Sequence, residues 1–205
     1  SSNGFAEIMC NSLAPSAWYE TTGDFDPKSM VLLANPLSSD LNAMRMSLLQ
    51  GMLNTIAWNI NRQNNSLRLY ELGFIYNRLP ENGSKEITDN FSETMSLDMA
   101  VTGDAVQQSW NALLTPTGFF HIKGYTEMVL QRLGINLRKL TINEYQANYY
   151  TESLGYYLGN TLLATTGRIS KKYLNMFDIK QDVFYSHIEW DNLLKATRKN
   201  KIVFE

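Results

Sequence analysis

The stretch Asn35-Pro36-Leu37-Ser38-Ser39, continued by Met44-Arg45-Met46-Ser47-Leu48-Leu49 and closed by Leu69-Tyr70-Glu71-Leu72-Gly73, decides how this chain is read. A strand end stopped by proline, a helix with a serine cap and a strand closing on glycine describe a helix laid against a sheet. Val31 to Ala34 is a short apolar run halted at Asn35-Pro36 and reads as a buried strand. Ser38 or Ser39 can accept a hydrogen bond from an orphan backbone amide and so start a helix. Leu41, Met44, Leu48, Met52, Ile56 and Ile60 then recur every three to four residues, with Leu49, Leu53 and Ala57 widening the stripe. The spacing predicts a helix from Ser39 to Asn61, about six turns long.

Outward from that core, Leu67 to Tyr76 alternates as a strand. Tyr70, Leu72, Phe74 and Tyr76 share one face; Leu69, Glu71, Gly73 and Ile75 share the other. The polar stretch 79–94, with Pro80 and Asn82-Gly83-Ser84, reads as a mobile hairpin loop, and Met95 to Thr102 as the returning strand. The region of Trp110 and Pro116 reads as helix then turn. Phe119 to Leu133 is a second amphipathic helix; it carries Lys123 and Glu127 at pairing distance and has Gly134 at its exit. Strands follow over Lys139 to Tyr145, Gly155 to Leu158 and Thr161 to Thr165, with Gly159-Asn160 as a hairpin turn. Gln181 to Trp190 is a last strand, and Asp191 can cap a closing helix. The class is α+β: a mixed, mainly antiparallel sheet flanked by long helices, with the helices expected on one side.

Composition narrows the function. The 205 residues suffice for one substantial core, and 44% hydrophobic with 19% charged residues is ordinary for a globular chain. A formal charge of −2 argues against a chain built to neutralise phosphates. The one concentrated basic run, Lys195, Arg198, Lys199 and Lys201, suits a solvated helix end. Cys10 is the only cysteine, which excludes an internal disulfide and fits a reducing, cytoplasmic compartment. No apolar run reaches the roughly 18 residues needed to span a membrane. The opening Ser1-Ser2-Asn3-Gly4, without methionine, is that expected of an excised piece, read as one domain over 1–205, with 195–205 as the junction to a further domain.

Chemistry-bearing constellations are few. His121 and His187 stand far apart and Cys10 has no companion at ligand spacing, so neither a metal site nor cysteine catalysis is indicated. The glycine-rich phosphate cradles are absent. Glu71, in mid-strand among apolar neighbours, needs a partner; an ion pair with Arg45 or Arg68 is a better reading than acid–base work. Arg45 could snorkel, pair with a carboxylate or sit in a subunit interface. The aromatic clusters Tyr149-Tyr150 and Tyr156-Tyr157 lack the interleaved cations of an RNA-stacking surface, and read as packing.

Five groupings carry a family resemblance over nearly the whole chain. They are Asn35 to Ser39, Met44 to Leu49, Asn59-Ile60-Asn61-Arg62, Arg68 to Gly73, and Phe120-His121-Ile122-Lys123-Gly124 with Leu133-Gly134-Ile135. Their order and spacing resemble the C-terminal half of bacterial phenylalanyl-tRNA synthetase beta subunits. The opening Gly4-Phe5-Ala6-Glu7-Ile8 and the segment Phe184 to Leu194 are similar to it as well. The resemblance implies a class II synthetase-like fold that copies a catalytic domain without catalysing. It further implies packing against a catalytic alpha subunit, with a second beta subunit, in a tetramer of two alpha and two beta chains that charges tRNA with phenylalanine. ATP and magnesium are implied for that whole enzyme and no cofactor for this piece. Where the family often has His-Pro after Gly167-Arg168-Ile169, this chain has Ser170-Lys171.

A class II active site needs a strand arginine at the ATP α-phosphate and a second in Gly-x-Gly-x-x-Arg at the γ-phosphate. The strand around Glu71 has no inward arginine, and Gly-x-Gly-x-x-Arg is absent. In agreement with the resemblance, the expected site is an interface: Asn35, Pro36, Leu37, Ser38, Ser39, Arg45, Leu48, Leu49, Asn61 and Arg62. Substituting Arg45 or Leu49 should weaken assembly without unfolding the domain. The alternatives are an active class II-like adenylating domain, of synthetase or biotin/lipoate-ligase type, and direct tRNA contact through Lys171-Lys172 and Lys195 to Lys201.

Overall fold

In the computed structural model, which describes residues 3–80, 87–106 and 115–197, a seven-stranded sheet forms the centre. Short pieces open the chain: β1 (Ala6–Glu7), β2 (Leu13–Ala14), α1 (Ala17–Glu20) and β3 (Ala43–Met44). Then come α2 (Leu49–Ile60), β4 (Leu67–Arg78), β5 (Phe91–Thr102), β6 (Asp104–Val106), β7 (Thr115–Pro116) and α3 (Phe119–Arg132). The chain ends through β8 (Thr141–Glu144), β9 (Tyr150–Leu158), β10 (Thr161–Ile169), α4 (Lys171–Met176), β11 (Val183–Glu189) and α5 (Trp190–Thr197).

The sheet order is β1-β4-β5-β11-β10-β9-β8. Only the β1–β4 pair is parallel; every other pair in it is antiparallel, as expected of the class. The alternation read in β4 is the alternation observed. Leu67, Leu69, Glu71 and Gly73 are buried while Leu72 and Phe74 are exposed. Helices lie on both faces, not one. Leu49, Met52, Leu53 and Ile56 of α2 and Tyr173 and Leu174 of α4 pack on Leu67, Leu69, Ala100 and Tyr185. Ile122 and Leu130 of α3 and Leu193 of α5 pack on Met99, Val101, Leu163 and Ile188 across the sheet. A third, smaller cluster joins Ala14, Tyr19, Met30, Ala43 and Met46.

Boundaries differ from expectation where tertiary pairing overrides local pattern; β9 begins at Tyr150, ahead of Gly155, and β10 runs past Thr165 to Ile169, and three more lie upstream. The helix expected from Ser39 begins at Leu49, where Ser47 Oγ accepts from the Leu49 amide at 3.1 Å. Upstream, Ala43–Met44 pairs with Leu13–Ala14, and the Arg45 amide donates to Ser12 O at 2.9 Å. Those bonds engage backbone groups a helix would need. Val31 to Ala34 is no buried strand: Leu32 makes an isolated bridge to Ala43 and its side chain is exposed. The hairpin between β4 and β5 is tighter than 79–94, because β5 starts at Phe91. Residues 81–86 of that loop, Trp110 and residues 198–205 of the expected junction lie outside the described residues.

The second helix, the Gly159-Asn160 turn and the last strand fall where the sequence puts them. Lys123 and Glu127 form the expected pair. Gly134 takes a φ of 84°, the left-handed exit conformation that glycine allows. Asp191 does not act as a helix cap; its Oδ2 accepts from the Met95 amide at 3.3 Å, tying α5 to β5.

Candidate functional site: an exposed loop beside a filled sheet face

Arg45 is the pivot of the region. Only 7% of it is exposed, and its Nη1 meets Glu71 Oε1 at 2.6 Å. Its Nε donates to Phe74 O at 2.8 Å and Nη1 to Cys10 O at 3.2 Å, while the Cys10 amide donates to Glu71 Oε1 at 3.1 Å. Gly73 makes room for this: a Cβ there would stand 2.4 Å from Arg45 Nη2. The cation thus fastens the segment before α2 to the middle of β4, and the ion-pair reading of Glu71 is the observed one. Arg68 instead donates to Asn3 O at 2.9 Å and to Ala105 O.

Glu71 opens a polar row across the sheet. By register it faces Asp98, which faces His187, which faces Thr165. Asp98 is fully buried and accepts from Tyr185 and Ser96, and His187 Nδ1 lies 2.8 Å from its Oδ1. His187 Nε2 is 3.3 Å from Glu189 Oε1. Burial by itself would lower the His187 pKa; the Asp98 charge and hydrogen bond, then Glu189, outweigh it and push the imidazole up to about 10. Burial and then the Asp98 charge hold the Tyr185 hydroxyl well above its usual value, so it stays a donor. Burial likewise pushes the Cys10 thiol up to about 11, where it is a poor nucleophile.

Ser96, His187 and Asp98 are not a hydrolytic triad. Ser96 Oγ, at 3.0 Å, and Asp98 share Nδ1, and Nε2 faces a carboxylate, so no ring nitrogen is free to take the serine proton. The row also suits no polyphosphate. It offers three carboxylates, Glu71, Asp98 and Glu189, and its cations Arg45 and His187 are already engaged with them. Among the described residues no group of three or more His, Cys, Asp and Glu side chains could hold a metal ion.

The ten expected interface residues divide into three sets. Asn35 to Ser39 are exposed, and Leu37 is as open as in an extended chain, at 101%. Leu48 and Leu49, each 1% exposed, lie with Arg45 inside this chain, so their side chains are not available to a partner. Asn61 and Arg62 are exposed beyond the end of α2, where the Arg62 guanidinium stacks 3.5 Å from the Trp58 ring centroid. Next to the 35–39 loop, Asp40 and Leu41 line a cavity of about 680 Å3 shared with Met9, Trp18 and Asn54. Met9 is 93% exposed and Leu32 also projects outward. Sequence reading missed both, because an isolated apolar residue in an irregular segment carries no periodic signal.

Comparison with known proteins places this geometry. Residues 1–190 match the family described as the phenylalanyl tRNA synthetase beta chain CLM domain. The chain is 37% identical over 204 residues to the phenylalanine–tRNA ligase beta subunit of Bacteroides fragilis, covering 98% of this chain and 25% of that protein. It is 29% identical over 196 residues to the beta subunit of Thermotoga maritima, covering 96% and 24%. The chain therefore spans about a quarter of the length of these relatives. In fold it is similar to a pyrrolysyl-tRNA synthetase from Desulfitobacterium hafniense, with a TM-score of 0.70 at 15% identity over 97% of this chain and 64% of that one. With its family model matched over residues 1–190, the chain belongs to the phenylalanyl-tRNA synthetase beta chain CLM domain family.

Proposed function

We propose that this chain is a non-catalytic interface domain, packing against the catalytic alpha subunit of a phenylalanine–tRNA ligase that works on tRNA and ATP in the cytoplasm. The observation that carries the reading is Leu37, fully exposed on the 35–39 loop, which leads into Asp40 and Leu41 at a cavity that Met9 also lines. Exposed large apolar side chains such as Leu37 and Met9 are what an interface buries at its centre. The sheet face supports the same reading from the other side. Its central polar groups bond one another: Arg45 is held by Glu71, and His187 by Asp98 and Glu189. The interface residues are accordingly Asn35 to Ser39 with Met9 and Leu41, and Arg45, Leu48 and Leu49 support them from within.

Light scattering on a sizing column tests this, with the protein alone and mixed with its alpha subunit. A mixed complex is expected, weakened by Leu37→Asp and Met9→Asp with no loss of thermal stability. Assembly indifferent to both substitutions would remove this loop from the interface. ATP titration separates the enzymatic alternative: saturable nucleotide binding by the domain would contradict the non-catalytic reading.

A further inference from the structure

A cavity of about 600 Å3 lies where the exit of α3, the β9–β10 turn and the last turn of α5 meet. Its floor is apolar, made by the buried side chains of Ile135 and Leu163 with Leu158 beside them. Its charge is of one sign. Lys139 and Lys195 reach it from different elements and no carboxylate lines it. In a chain with 20 acidic against 18 basic residues, this is a local inversion. Neither lysine has an ion-pair partner among the described residues. Asn136 Oδ1 accepts from the Arg138 amide at 3.0 Å, which leaves its Nδ2 to donate elsewhere. The opposite wall is fixed, since Asn192 Nδ2 donates to Leu162 O at 3.1 Å and joins α5 to the hairpin.

We propose that this cavity binds a small organic anion, a carboxylate or phosphate ester carrying a compact apolar body. Ligand sites of this size are mostly apolar with a few convergent polar groups, and here those groups are cations and an amide N–H donor. The recessed apolar floor selects a ligand with a body. A nucleic-acid backbone, by contrast, is met by open basic surface. The proposal is independent of the subunit role, since the cavity shares no residue with the 35–39 loop or the polar row.

The test uses phenylbutyrate and its neutral counterpart phenylbutanol as probes, titrated against the purified protein by ligand-observed NMR. The anion should bind more tightly than the alcohol. Lys139→Gln and Lys195→Gln, both at exposed positions, should each weaken the anion about two- to fivefold and leave the alcohol unchanged. Ala196→Trp, which fills the cavity from α5, should block both probes while the circular dichroism spectrum stays native. Equal affinity for the two probes, indifference to both lysine substitutions, binding that survives Ala196→Trp in a folded protein, or no binding of the anion at millimolar concentration would each overturn the proposal.

Discussion

Arg45 and Glu71 are 26 residues apart in sequence and meet in the interior, where each makes the other tolerable. Removing one partner of such a pair leaves a bare buried charge, which costs about 3–5 kcal/mol. Arg45→Met should therefore lower the stability read from urea unfolding by that amount. Arg45→Met with Glu71→Leu should recover most of it, because a well-packed apolar pair needs no compensation. A single substitution that leaves the unfolding midpoint unmoved would show that the pair does not hold β4. The expected effect on Arg45 thus moves from assembly to folding. The sequence could offer three fates for this arginine; only Gly73, vacant of side chain under the guanidinium, selects one, and that contact needs the fold. His187 gives the pH dependence. Its folded pKa, up to about 10, lies above the unfolded value of about 6.5, so its contribution is full below about 6.5 and lost as pH rises through about 10. Unfolding free energy should fall across that window, and His187→Gln should flatten the fall. A wild-type curve that rises there would reverse the sign assigned to the Asp98 contact.

At the scale of elements, legibility tracks how far a pattern is determined by its own neighbours. β4 was legible because alternation over ten residues admits one pleat, and α3 because its stripe, its Lys123–Glu127 pair and Gly134 agree. α2 was legible at its centre and misread at its start. Leu41 and Met44 share the helical spacing by coincidence: Leu41 closes a single 3-10 turn over Ser39–Leu41, and Met44 pairs with β2. Its twelve residues carry a fully buried stripe, so Leu53→Ala should cost about 2–5 kcal/mol in urea unfolding. A loss below that range would mean the α2 face is loosely packed. Of the residues proposed for the interface, the proline-marked segment 35–39 could be picked out in the sequence, and the exposed Met9 could not. The row from Glu71 to Thr165 was invisible as well, because it is assembled across four strands and appears only once the register is known.

For the whole molecule, the topology ranks the strands by how completely each is enclosed. β11 sits between β5 and β10, hydrogen-bonded on both edges, with α2 on one face and α3 and α5 on the other. β1 and β8 are the free edges of the sheet, and every residue of both is exposed. Backbone amides open locally where few apolar contacts hold them, and enclosed strands exchange only on global unfolding. Native-state hydrogen exchange should therefore find the slowest amides in β5, β11 and β10, with β1, β8 and the segment 31–42 exchanging through low-energy openings. The order matters for the proposed role, because the loop proposed as the interface lies outside the seven-stranded sheet. A partner that docks there should slow exchange in 31–42 and leave β11 unchanged. Protection appearing in β11 instead, with 31–42 still open, would place the contact on the sheet and away from the loop.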